Sequence, residues 1–232
     1  MKKRIIAKIL EVTNLYGTKT TTLVILAGGR GTRLGCNKAL ANFNGQSLIE
    51  TVISRLAQLH SPLLIVTSRE QFPAVAELNL NQKIVVDCWP GKGVMGAIYT
   101  SLLHSASSNV FVAGCDMPFL STAFIDYLID ISSGWDAVVP KSNGLNEPLH
   151  AVYSRNCLNT LERLLGEDSL ATRELFNRVN TKYIYDGEIE KYCRGSLSFF
   201  NINTPADFMN AQLIAEQSFY ADFALAECGC RT

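Results

Sequence analysis

Leu23-Val24-Ile25-Leu26-Ala27, followed at once by Gly28-Gly29-Arg30-Gly31-Thr32-Arg33-Leu34-Gly35-Cys36-Asn37-Lys38, is the stretch that decides the fold. A short apolar run closed by glycine reads as a strand buried on both faces. Behind it, the twelve residues from Ala27 to Lys38 hold four glycines and three cations, more than an ordinary strand-to-helix turn requires. Glycines let backbone N–H groups approach an anion closely, and Arg30, Arg33 and Lys38 can neutralise the charge of a triphosphate. No register gives the Gly-x-x-x-x-Gly-Lys-Ser/Thr of a Walker A loop. The dinucleotide fingerprint Gly-x-Gly-x-x-Gly fails because Leu34 stands where its third glycine belongs. In that motif the helix opens inside the loop, whereas here it waits until Ser47, beyond the Asn42-Phe43-Asn44-Gly45 turn. A long loop of this kind suits a nucleoside triphosphate.

Outward from this loop, brief apolar runs alternate with helix-period segments, the pattern of an α/β fold with a mostly parallel sheet. The further strands are expected at Leu63-Leu64-Ile65-Val66-Thr67, Ile84-Val85-Val86, Val110-Phe111-Val112-Ala113 and Asp136-Ala137-Val138-Val139. Ser47 and Glu50 make a capping box, after which Leu48, Ile49, Val52, Ile53, Leu56 and Leu59 form one apolar stripe. Similar helices are expected after Ser121/Thr122, over Leu158 to Leu165, and from Thr204-Pro205-Ala206-Asp207, where a cap, a proline and a first-turn acid coincide.

With 232 residues and 47% hydrophobic content, the chain can bury one full core. We expect a single nucleoside-triphosphate-binding domain over residues 21–220, between an N-terminal extension of residues 1–20 and a C-terminal tail of residues 221–232. The extension carries Ile5, Ile6, Ile9 and Leu10 at partly helical spacing. Its apolar run is broken by Lys8 and Glu11, so it does not read as a secretory leader, and a cytoplasmic location is expected. The 21 basic and 21 acidic residues balance, leaving no electrostatic footprint for nucleic acid or a membrane surface. Seven scattered cysteines form no Cys-x-x-Cys pair; Cys228 and Cys230 sit in the expected tail.

Leu26-Ala27-Gly28-Gly29, Arg33-Leu34-Gly35 and Lys38-Ala39-Leu40 resemble the opening signature of nucleoside-triphosphate transferases, which have a three-layer α/β/α, Rossmann-like fold of glycosyltransferase-A type. Within that group the chain is similar to the molybdenum cofactor guanylyltransferase (MobA) family, whose pattern runs Leu-Ala-Gly-Gly, Arg-Met-Gly, Asp-Lys. Here Asn37 replaces the aspartate. Cys115-Asp116-Met117-Pro118-Phe119-Leu120 resembles the family's metal motif, and its aspartate ends a strand at the edge where open α/β sheets bind ligands. Asp87 ends another strand in the position of a nucleotide-contacting aspartate. Pro90 to Gly96 occupies the place of the family's Gly-Pro-Leu-Ala-Gly loop, with Gly93 where proline is usual. The family's asparagine after the second strand is absent from Val66-Thr67-Ser68-Arg69.

The resemblance extends through Glu147-Pro148-Leu149-His150 to Asn201-Ile202-Asn203-Thr204-Pro205. It implies GMP transfer from GTP to a molybdopterin-type acceptor, with Mg²⁺ as cofactor and contact with molybdoenzyme maturation proteins. Arg33, Lys38 and Asp116 are the expected catalytic residues, and Asp116 the metal ligand. Leu26, Ala27, Gly28, Gly29, Lys38, Asp87, Asp116, Asn201 and Asn203 are the expected nucleotide and cofactor contacts. For Asn203 and Thr204 a plain helix-capping role is the level alternative. His150 is expected to be structural. Two other functions remain open: a sugar-1-phosphate nucleotidyltransferase, and a non-catalytic nucleotide-binding regulator of the same fold.

Overall fold

The computed structural model describes residues 21–29, 37–193 and 195–228. The expected N-terminal extension of residues 1–20, Arg33 and Cys230 lie outside them. Strand β1 (Thr21–Leu26) forms where the opening run predicts it. Two short strands, β2 (Asn42–Phe43) and β3 (Gln46–Ser47), make a hairpin before helix α1 (Leu48–Ala57). The capping box is present: Glu50 Oε2 accepts from Ser47 N at 2.9 Å, while Ser47 Oγ accepts from Glu50 N at 3.4 Å. The Ser47 hydroxyl, donating to Glu50 Oε2 at 2.6 Å, and then Ser47 N hold the Glu50 carboxyl below its usual range.

The chain then runs through β4 (Leu63–Thr67), α2 (Phe72–Ala76), β5 (Lys83–Val86), α3 (Gly93–His104), β6 (Asn109–Gly114) and α4 (Thr122–Asp130). The second half adds β7 (Ala137–Ser142), β8 (Leu145–Asn146), β9 (His150–Ser154), α5 (Leu158–Gly166), α6 (Thr172–Phe176), β10 (Thr181–Tyr185), α7 (Asp186–Ile189) and α8 (Pro205–Cys228). The main sheet has eight strands in the order β10-β7-β9-β6-β1-β4-β5, with β8 folded onto β7. β1 pairs in parallel with both β4 and β6, and β4 with β5. β9 runs against β6 and β7, so the sheet is mostly parallel with one reversed strand inside it.

Alternation along β1 divides the core into two layers, the α/β/α arrangement. Leu23 and Ile25 face Ile49, Val52 and Leu56 of α1 and Phe124, Ile125 and Leu128 of α4. Val24 faces Met95, Ile98 and Leu102 of α3 and Leu161, Leu164 and Leu165 of α5. Burial on both faces explains why β1 has no polar alternation. A third cluster joins Phe43 and Leu48 to Ile202 and Ala211, rimmed by Phe119, Phe200 and Phe208. It pins the start of α8 beside the strand ends. No helix among the described residues is long and apolar enough to cross a membrane.

Candidate active site

β1 leads one way, through α1, to β4 and β5, and the chain later returns to its other side as β6. This makes β1 a topological switch point, where open α/β sheets leave a crevice at the carboxyl ends of their strands. A cleft of about 780 Å³ lies there. Leu26, Ala27, Gly28, Gly29, Lys38, Asp87, Asp116 and Asn203 all line it.

The floor of the cleft is a cluster of three side chains. Lys38 Nζ lies 2.9 Å from Asp116 Oδ2 and donates to Asn203 Oδ1 at 2.6 Å. Local structure delivers each of them. Asn37 Oδ1 accepts from Ala39 N at 3.1 Å, capping the short 3₁₀ turn Lys38–Leu40 that carries the lysine. Asp116 follows β6 after a single residue, Cys115, and its carboxylate folds back over Gly114. A Cβ at Gly114 would collide with Asp116 Oδ1, so only glycine leaves this space. Ile202 N donates to Asp116 O at 3.0 Å, tying residues 201–203 to the aspartate turn.

Asn203 and Thr204 divide the two roles proposed for them. Thr204 Oγ1 accepts from Asp207 N at 3.1 Å, and Asp207 Oδ2 accepts from Asn203 N and Thr204 N at 3.0 and 2.8 Å. Thr204 and Asp207 therefore cap α8, and the Asn203 amide is left for Lys38. The hydrogen bond from Asn203 N, with those from Thr204, holds the Asp207 carboxyl below its usual range. The Lys38 and Asp116 side chains are 15% and 16% exposed. At that burial, removing one partner leaves an uncompensated charge.

The MobA-like NTP transferase domain model matches residues 23–182. The chain belongs to this family. It is 36% identical over 188 residues to a "probable molybdenum cofactor guanylyltransferase" of Thermococcus gammatolerans, covering 79% of this chain and 94% of that protein. To the molybdenum cofactor guanylyltransferase of Desulfosudis oleivorans it is 30% identical over 193 residues, 82% of this chain and 94% of the relative. The crystal structure of molybdopterin-guanine dinucleotide biosynthesis protein A from Archaeoglobus fulgidus superposes with a TM-score of 0.76 at 28% identity, covering 85% of this chain and 100% of that one.

Departures from the MobA-like pattern have local explanations. Asn37 gives the 3₁₀ turn its cap without adding a charge beside Asp116. Gly93 has φ +60°, a value the proline ring forbids, so proline cannot stand in this turn as it is formed here. Lys92, the extra cation of that turn, pairs with Asp168 at 2.8 Å. Asp87 lines the cleft but is also structural: its Oδ1 accepts from Thr100 Oγ1 at 2.7 Å and from Trp89 N at 3.0 Å.

Asn201 is not brought to the cleft; its amide donates to Phe199 O at 2.9 Å. Conversely, Ser68, Arg69, Glu70 and Leu149 line the cleft without having been singled out. Their one sequence signal is position: Ser68 to Glu70 follow β4 as Asp87 follows β5. Cys115 is buried, and desolvation pushes its thiol up to about 12, which removes it as a nucleophile.

His150 is fully buried, with Phe111, Phe124 and Phe199 ring centroids at 5.3, 5.4 and 4.9 Å. Among the described residues neither ring nitrogen has a hydrogen-bond partner. Burial pushes the imidazole down to about 3, against the opposing effect of the nearby Ser198 backbone. Such a ring is core, not catalyst. Nor do the described residues contain a group of three or more His, Cys, Asp or Glu side chains able to hold a metal unaided.

Proposed function

We propose that this protein transfers GMP from GTP to the terminal phosphate of a molybdenum-bound molybdopterin, releasing pyrophosphate and forming the guanine dinucleotide cofactor. The observation that carries this reading is the Lys38–Asp116–Asn203 cluster at the floor of a switch-point cleft, in a chain whose relatives are named as molybdenum cofactor guanylyltransferases. An oxygen of the acceptor phosphate bonds to the α-phosphorus of GTP. The bond from that phosphorus to the bridging oxygen breaks, and pyrophosphate departs with the electron pair.

The attacking oxygen is already anionic, so no protein nucleophile is needed, and catalysis reduces to positioning and charge neutralisation. The backbone at Gly28 and Gly29, with Lys38 and Arg33, holds the triphosphate. Asn203 orients Lys38 toward it. A single carboxylate, Asp116, suits Mg²⁺, which prefers one or two carboxylates completed by phosphate oxygens. When bound, Mg²⁺ supplies charge neutralisation at the phosphates. Delivery of the product to a molybdoenzyme maturation protein belongs to the same reading.

The test is pyrophosphate release with Mg²⁺ and each of the four nucleoside triphosphates, offered either molybdopterin acceptors or a panel of sugar 1-phosphates. Release with GTP and the pterin acceptor is expected. Release with sugar phosphates alone sinks the reading, and GTP binding without turnover favours a regulator.

A further inference from the structure

Resting on the acceptor reading above, we propose that Glu147 is a specificity residue for the acceptor, its carboxylate receiving the N–H groups of a pterin's 2-amino-4-oxo-pyrimidine edge. The placement comes from register. β9 is antiparallel to β6, and His150 pairs with Ala113. The residues before His150 therefore extend past the same carboxyl edge from which Asp116 projects, and Leu149 lines the cleft wall. The turn is rigid: Glu147 N donates to Pro140 O at 2.9 Å, His150 N to Glu147 O at 3.1 Å, and Tyr153 Oη to Pro148 O at 2.8 Å.

On this rigid turn the Glu147 carboxylate is half-buried, and among the described residues it makes no hydrogen bond or ion pair. The adjacent Asn146 Oδ1 is buried and also has no donor. Desolvation alone pushes the Glu147 carboxyl up to about 7. A half-buried acceptor without a donor is unfavourable in the free protein, and a ligand that brings donors relieves the penalty. A pterin edge presents two N–H groups side by side, spaced for the two oxygens of one carboxylate.

The guanine base of GTP presents the same edge. Two features favour the acceptor. Ser68, Arg69 and Asp87 already line the cleft at the ends of β4 and β5. β9 lies on the far side of β6 from them, three strand spacings from β4, or about 14 Å. A nucleotide with its base over β4 and its phosphates over β1 and β6 leaves β9 to the acceptor.

The experiment titrates the full-length protein, with Mg²⁺ and α,β-methylene GTP, against 6-hydroxymethylpterin phosphate and its lumazine counterpart, which carries oxygen in place of the 2-amino group. Both rings fluoresce. The wild type is expected to bind the pterin at least about tenfold more tightly. Glu147→Gln and Glu147→Ala should bring the ratio close to one while nucleotide affinity holds. Equal binding of the two rings by the wild type, no binding of either, or a ratio that survives in Glu147→Ala overturns the assignment. So does loss of nucleotide affinity in Glu147→Gln, which would put the carboxylate on guanine. Turnover of GTP and molybdopterin by the wild type is read separately. Turnover without pterin preference removes only the subsite; preference without turnover removes only the transferase reading.

Discussion

Two segments meet at the same sheet edge and treat their polar groups in opposite ways. In the cluster of Lys38, Asp116 and Asn203 each polar side chain has a partner, and further bonds hold the partners themselves, from Asn37 at one end to Asp207 at the other. In residues 146–150, Asn146 Oδ1, the Glu147 carboxylate and the His150 ring find none among the described residues. Paired charges are a preorganised field that needs no reorganisation when phosphates arrive. Unpaired groups cost stability and are tolerated where a ligand completes them or aromatic packing outweighs the loss.

The sharpest way to break this contrast is Asp116→Ala. Turnover should fall by about 10³-fold, the scale of losing a preorganised charge, with the circular dichroism spectrum unchanged; full pyrophosphate release in this variant removes Asp116 from its role. Gly114→Ala leaves every charge in place but puts a methyl group where the Asp116 carboxylate rests. We expect kcat to drop about 10²-fold, and an unaltered kcat would show that the carboxylate does not need this position.

His150 sharpens the other side. Its folded value is lowered to about 3, so the native state binds fewer protons than the unfolded chain. Stability is complete above the unfolded value near 6.5 and is lost as pH falls from there toward 3. At pH 5 the cost is about 2 kcal/mol. His150→Leu should therefore melt higher than the wild type at pH 5, and equal melting temperatures would mean that the ring has a partner.

Asp207→Ala loosens the turn that holds Asn203. A fall in kcat of about threefold to tenfold is expected, with KM for GTP little changed and activity recovered in Asp207→Glu; a variant that only melts lower would leave Asp207 as a helix cap. A further test is at Glu147, whose folded value is raised to about 7. There the native state binds more protons, so stability declines as pH rises from about 4.5 to about 7. Glu147→Gln should flatten that slope in melts from pH 5 to 7.5, and an unchanged slope would show a carboxylate that titrates normally.

The sequence alone determined what short-range physics controls. The β1 run, the Ser47/Glu50 capping box, the Ser121 cap and the Pro205 start of α8 appear where the residue pattern places them, because strand burial and helix capping are settled within a few residues. The glycine-rich loop and the Asp116 motif also identified the family, since their chemistry is carried by contiguous residues. Only the tertiary structure decided which of these groups meet. Lys38 reaches Asp116 across 78 positions and Asn203 across 165. Asn201 and Asn203, equivalent on paper, part because the turn before α8 sends one amide to Phe199 O and the other to Lys38. The reversal of β9 inside a parallel sheet, which sends residues 147–149 past the carboxyl end of β6 and brings Leu149 to the cleft, likewise depends on pairing between distant strands. Such contacts are fixed by packing across the whole core, and no local propensity encodes them.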